Sequence, residues 1–281
     1  MTTEHRMQDT GKFRTNTNDQ YYTASTVAVE CVKKIQQAVD NSHSYLWIEP
    51  SAGNGVFLTA AGAVRKVGID IDPKRDDIVR GNFLNWEPTA SPSLVFGNPP
   101  FGRQGSTAKA FIQHSASFAS VIAFILPRSF VKPSMSRAFP SLYHCVLSEE
   151  LPSNSFVVNE KEYDVPCVFQ IWVKRTEPRQ LEEKVEESGF SYVKSGKPFD
   201  IAFRRVGGLA GRCYPSARGP FSPQSHYFLK LDEEYQPYCA EIIAKMNTHV
   251  FPSNTVGPRS LSKGEANVVV NQILLTIANT Q

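Results

Sequence analysis

Short apolar runs alternate along this chain with turns and longer mixed segments. Six such runs, at residues 45–48, 67–71, 94–96, 121–126, 143–147 and 168–173, have strand length and stand far enough apart for crossover helices. That spacing predicts an α/β domain on a parallel sheet. Ahead of it, Val27, Ala28, Cys31, Val32, Ile35, Ala38 and Val39 recur at helical intervals, with Thr23 or Ser25 as the expected cap.

Residues 1–20 are polar and poor in hydrophobics, which predicts a mobile N-terminal arm. Near residues 174–187 the pattern breaks into the charged stretch TEPRQLEEKVEE, expected as a surface helix or a linker. The reading therefore divides the chain into an arm (1–20), a main domain (21–176) and a C-terminal region (177–281). In that last region 192–194, 199–206 and 226–231 read as strands, and 234–246 and 263–275 as helices, giving a smaller α+β unit.

The composition is that of an ordinary soluble globular chain, with 281 residues, 41% hydrophobic and 20% charged. The longest apolar run, 121–126, is far short of the roughly 20 residues a membrane helix needs, and the first residues lack a signal-peptide core. Five scattered cysteines without a C-x-x-C pair suggest neither a disulfide framework nor a zinc site. An intracellular location, cytoplasm or nucleus, is expected. The net charge of +3 is small but uneven: residues 101–148 hold five Lys or Arg and no acid, and 191–231 hold seven against Asp200 alone. Such stretches suit a phosphate-facing surface, with Arg103, Arg204 and Arg205 as candidate contacts.

Two segments carry chemistry. In LWIEPSAGNG an apolar strand runs into a turn bearing Gly53 and Gly55, where a cofactor can approach bare backbone. No G-K-[ST] follows, which disfavours a nucleoside triphosphate. The next strand, VGIDIDP, ends in Asp70 and Asp72, either of which could bind the ribose of an adenosine-containing cofactor; Asp70 is favoured, with Ile71 and Phe83 flanking the adenine. Further on, SLVFGNPPFG takes an apolar strand into a loop stiffened by two prolines. There the Asn98 side chain and the Pro99 carbonyl could accept the hydrogens of an exocyclic amine, whose lone pair is otherwise delocalised into its ring.

The order Gln20-Tyr21-Tyr22-Thr23, EPSAGNG, VGIDIDP, GNFLNWEP and NPPFG resembles the gamma-arrangement class of DNA adenine-N6 methyltransferases, including the Taq-type restriction-system enzymes, over about residues 20–175. The resemblance implies a Rossmann-like class I methyltransferase sheet with helices on both faces, and S-adenosyl-L-methionine as methyl donor. It implies Thr23 near the donor's carboxylate, Glu49, Pro50, Ser51, Gly53 and Gly55 around its methionine part, Asp70 on the ribose and Phe83 against the adenine. Asn82 stands where the family usually has Asp, and its amide oxygen could keep the contact to the adenine amine. In the NPPF loop Asn98, Pro99, Pro100 and Phe101 are the implied catalytic residues, with Phe101 stacking on the target base. A second base-facing ring is expected from Phe156, with Tyr163 as the competitor.

The expected activity is methyl transfer to adenine N6 in a nucleic acid, DNA before RNA. Related loops occur in RNA adenine methyltransferases and, as NPPY, in enzymes methylating glutamine in release factors. A further alternative is an inactive partner subunit of the same fold. The six histidines fall in separate predicted elements, so no metal site is expected.

Overall fold

The computed structural model describes residues 21–158, 161–181, 183–252 and 259–279. The expected arm, 1–20, lies outside the described residues. The chain divides into two compact units, Met1–Leu181 and Glu182–Gln281.

The first unit runs β1 (Tyr22–Thr23), α1 (Ser25–Ala38), β2 (Leu46–Glu49), α2 (Val56–Ala60), β3 (Lys66–Asp70), β4 (Val79–Arg80), β5 (Ser93–Gly97), α3 (Ser106–Phe118), β6 (Val121–Pro127), α4 (Pro133–Ser136), β7 (Tyr143–Glu150), β8 (Phe156–Val158), β9 (Lys161–Tyr163) and β10 (Cys167–Lys174). Seven strands form the central sheet in the order β4-β3-β2-β5-β6-β10-β7. The five from β4 to β6 are mutually parallel, and β10 is antiparallel to both its neighbours. The result is a mixed, mostly parallel α/β sheet.

Every residue of β2, β5 and β6 is buried, as strands covered on both faces must be. Strand alternation sorts their side chains between two layers. Leu46, Ile48, Val95, Ile122 and Phe124 share one core cluster with Ala108, Phe111 and Ile112 of α3. Trp47 and Phe96, of opposite parity, meet edge to face at 5.0 Å, and Phe57 of α2 joins Phe96 at 6.0 Å. The amphipathic α1 buries Val27, Ala28, Cys31, Val32 and Ile35 and packs on α2 and β10. Each such side chain taken from water stabilises the fold by roughly 1.5–3 kcal/mol before entropy is counted.

One expectation needs correction here. The N-cap of α1 is Ala24, with no side-chain cap: Thr23 belongs to β1, whose pairing with β8 holds the chain extended up to the helix, and Ser25 is already helical. The Ala24 amide donates instead to the Ser155 carbonyl at 2.9 Å. Of the two readings of the charged stretch, residues 175–181 take the linker and not the helix, because their amides serve the neighbouring loop: Arg175 N donates to Leu142 O and Arg179 N to Ser141 O, both at 2.8 Å. The Arg179 guanidinium then donates to the carbonyls of Pro140, Tyr143, Phe139 and Ser136 at 2.6–3.1 Å and lies 4.9 Å over Trp172.

The second unit pairs β11 (Phe190–Val193), β12 (Ile201–Arg204), β13 (Cys213–Pro215) and β14 (His226–Leu231) antiparallel in the order β11-β14-β12-β13. Two helices, α5 (Cys239–Thr248) and α6 (Lys263–Ala278), complete its core with Ile242, Met246, Val270 and Leu274. The helix expected from 234 is split: a 3-10 turn, Glu233–Tyr238, contains Pro237, which cannot donate within a helix, and α5 begins after it. A capping box of Ser262 and Glu265 starts α6.

Because Arg179 closes off four carbonyls at once, Arg179→Ala should cost the first unit about 2 kcal/mol in urea unfolding. Arg179→Lys should recover only part of it, since an ammonium lacks the planar fork. An unchanged midpoint for Arg179→Ala would mean that water replaces the guanidinium without penalty.

Candidate active site

Between β2 and β5 the strand order reverses, and the carboxyl ends of these two strands lie side by side. A cleft of about 380 Å³ opens there, lined on one side by the turn after β2 and on the other by the loop after β5.

The turn after β2 is pinned from two directions. Asp70, at the end of β3, accepts from the Gly53 amide on one oxygen and from the Asp72 amide on the other, both at 2.7 Å. Arg75 donates to Gly55 O at 3.1 Å and to Thr59 Oγ1 at 2.9 Å, while Asp77 grips its other edge. Gly55 has φ 72°, a conformation strained for other residues, and a Cβ there would sit 2.6 Å from the Arg75 guanidinium and force that side chain to shift. Asp70 is half-buried in the cleft wall; Asp72 is exposed and paired with Lys74 and Arg80. Both acids line the cleft, Asp70 fixed by two backbone amides and Asp72 by its ion pairs.

Glu49, only 2% exposed, lies on the cleft floor and accepts from the Leu58 amide at 3.2 Å. Burial pushes its carboxyl well above the ordinary carboxylate pKa, the Leu58 amide opposing and the nearby Asp70 charge adding to the shift. Gly97 makes room for it: a Cβ there would meet Glu49 Cγ at 3.2 Å, and φ is 123°. Phe83 is buried at the other end, 5.3 Å from Phe111 and 4.9 Å from His114, and Ile71 is 73% exposed at the rim. Asn82 also lines the cleft, but its side-chain oxygen caps the short helix after it, accepting from Leu84 N at 3.0 Å.

On the β5 side, Asn98 is oriented by contacts remote in sequence. Its Nδ2 donates to the Tyr21 carbonyl at 3.0 Å, and its own carbonyl accepts from Ser51 Oγ at 3.0 Å. With the amide nitrogen so held, Oδ1 is buried and has no hydrogen-bond partner. The Thr23 hydroxyl, in the same cleft, is likewise buried without a partner. A buried polar atom without a partner costs about 1–3 kcal/mol, and a ligand in this cleft could satisfy both of these; Ser93, Asn154 and His226 carry such atoms elsewhere.

Thr23, Glu49, Pro50, Ser51, Gly53, Asp70, Ile71, Asn82, Phe83, Asn98 and Pro100 thus come together along one cleft. Gly55, Pro99 and Phe101 do not line it. Phe101 is 7% exposed, because the chain turns at Gly102 into α3 and folds the ring inward. Phe156 is fully buried, paired across strands with Thr23 and Tyr163 in the three-stranded sheet β1-β8-β9; its ring presents no open face. Tyr163 is half-buried. Arg103 is exposed just past the NPPF loop. In the second unit, Arg204 donates to Val206 O at 3.2 Å, and Arg205 donates to Gln224 O at 2.9 Å and lies 5.3 Å over Tyr227. Tyr21, Arg75 and Gly97 received no role from the sequence: their effect comes from contacts that spacing does not reveal. Among the described residues no three His, Cys, Asp or Glu side chains gather as a metal site, and no helix is long and apolar enough to cross a membrane.

No family model matches the chain. A 73-residue stretch is 37% identical to the type II methyltransferase M.TthHB8I of Thermus thermophilus, covering 22% of this chain and 17% of that protein. Among solved structures, a Pyrococcus horikoshii protein assigned as an RNA methyltransferase is similar over 56% of this chain and 87% of its own (16% identity, TM-score 0.46). The 23S rRNA methyltransferase ErmE is similar over 56% and 71% (15% identity, TM-score 0.44). These two likenesses are too distant to carry any part of the assignment.

The buried carboxyl of Glu49 yields a stability prediction. Its folded pKa lies above the unfolded one, so from the ordinary value near 4.5 upward the unfolded chain loses this proton first. Through that window folding loses up to about 1.4 kcal/mol per pH unit. Glu49→Gln keeps an acceptor for Leu58 and removes the charge. It should match the parent in unfolding at about pH 4 and exceed it at about pH 8; equal stability at both would place a compensating cation beside the carboxylate.

Proposed function

We propose that this protein transfers a methyl group from S-adenosyl-L-methionine to the N6 amine of adenine in a nucleic acid, DNA before RNA, inside the cell. The observation that carries the proposal is the buried, partnerless Asn98 Oδ1, held in the cleft by the Tyr21 carbonyl at the head of an NPPF loop. The 73-residue match to a type II methyltransferase supports the methyl-transfer reading.

The cleft residues fit the donor. Thr23, with its unsatisfied hydroxyl, would bind the carboxylate; Glu49, whose buried carboxyl lacks a cation until the donor enters, would ionise against the ammonium; Gly53 and its neighbours would pass along the methionine part. Asp70 would accept from the ribose hydroxyls, and Phe83 and Ile71 would flank the adenine. When bound, the donor supplies an electrophilic sulfonium methyl. The work of this chain is then to prepare the nucleophile. Asn98 Oδ1 would accept one amine hydrogen and draw the nitrogen towards tetrahedral geometry, freeing its lone pair; the Pro99 carbonyl, which lies outside the cleft lining, would serve as the second acceptor only after a shift of the loop. Pro99 and Pro100 stiffen that loop, and the buried floor keeps water from competing. Arg103, Arg204 and Arg205 remain the proposed phosphate contacts.

The test is to incubate the protein with tritiated donor and matched DNA and RNA pools, digest, and identify the labelled nucleoside. N6-methyldeoxyadenosine is expected. Label in RNA alone would transfer the assignment to RNA, and label on N4 of cytosine or on protein glutamine would refute it. Asn98→Ala should lower turnover by roughly 10²-fold while calorimetric donor affinity stays near the parent's.

A further inference from the structure

Neither sequence-nominated ring, Phe101 or Phe156, has a face in the cleft, yet an adenine presented to Asn98 needs a flat apolar surface beside it. The rings that are buried point to what they support. Phe156 lies 6.2 Å from Tyr21, edge to face, and Tyr163 lies 5.6 Å from Tyr21 with the ring planes 30° apart. Tyr21 itself is half-buried and lines the cleft with Asn98 and Pro100. Its backbone carbonyl fixes the Asn98 amide.

We propose that Tyr21 is the base-binding aromatic of this site: its ring stacks on the target adenine, backed by Tyr163 and Phe156, while its carbonyl aims Asn98 Oδ1 at the amine. The inference rests on the adenine-N6 reading above and adds to it a residue from the opposite end of the domain sequence. One residue then couples two requirements. A base that slides off the Tyr21 ring also leaves the acceptor that the same residue orients. The spacing of Tyr21 and Tyr163 is too close to admit a base between them, so Tyr163 serves as backing and the base takes the cleft side of Tyr21.

The test compares Tyr21→Ala, Tyr21→Phe and the parent on the nucleic acid that the parent methylates, reading kcat, KM and calorimetric donor affinity. Tyr21→Ala should raise KM roughly 10-fold or more, in line with one lost stacked base, lower kcat less, and leave donor affinity within about twofold. Tyr21→Phe should restore KM to within about twofold of the parent, because the ring face persists. An unchanged KM in Tyr21→Ala overturns the proposal. So does a Phe variant as impaired as the Ala variant, or a loss of donor binding in Tyr21→Ala, which would make the ring a prop for the fold. A parent that methylates no adenine sinks the underlying reading instead, whatever the variants do.

Discussion

Having laid β2 in the middle of the sheet, the chain adds β3 and β4 on one side and then returns to place β5 on the other. The segments leaving β2 and β5 must diverge, one towards α2 and the other towards α3, which pack on opposite faces. Divergence opens a gap that neither segment can fill, at the ends where backbone amides and carbonyls run out of strand partners. Everything proposed for this protein follows from that gap. The acid on β3 reaches into it because β3 ends alongside, and the two glycine-bearing turns exist because the backbone must change course within a few residues.

Filling the gap with apolar side chains would give a more stable protein. Instead Glu49 is buried with one backbone donor, and Thr23 and Asn98 keep oxygens that satisfy nothing. These costs are local and the stability that offsets them is distributed: the fully buried β2, β5 and β6 and the aromatic layer around Trp47 and Phe96 hold the site residues against relaxation. Asp70 shows the same division within one side chain. Both of its oxygens fix backbone amides, which immobilises the carboxylate and leaves its remaining lone pairs for a ligand.

The central sheet was legible because burial on both faces forces continuous apolar runs, and such runs survive without any knowledge of partners. Short elements were not. Tyr22–Thr23, Val79–Arg80 and Lys161–Tyr163 are two or three residues long, below any period, and exist only through the strands they pair with. The same limit explains the misplaced cap of α1 and why helix and linker could not be told apart after 174, where long-range backbone bonds outcompeted local ones. In the site, residues whose placement is set by backbone position, such as Gly53 and Asp70, could be located in the cleft from the sequence. Roles set by side-chain exposure could not: Phe156 and Tyr163 differ in sequence by nothing that tells which is enclosed.

The position of β1 shows why the acceptor in the NPPF loop cannot orient itself. Pro99 and Pro100 stiffen the backbone but carry no N–H that could hold the Asn98 side-chain oxygen or nitrogen in one orientation, and a free amide presents its oxygen and its nitrogen about equally well. A fixed carbonyl resolves the choice, and it must come from a strand edge that is itself held. Pairing of Tyr22 and Thr23 with β8 supplies that hold, and the buried Phe156 ring is what keeps β8 in place. The enclosed aromatic thus bears on the acceptor through β8 and β1, and through the carbonyl that β1 delivers.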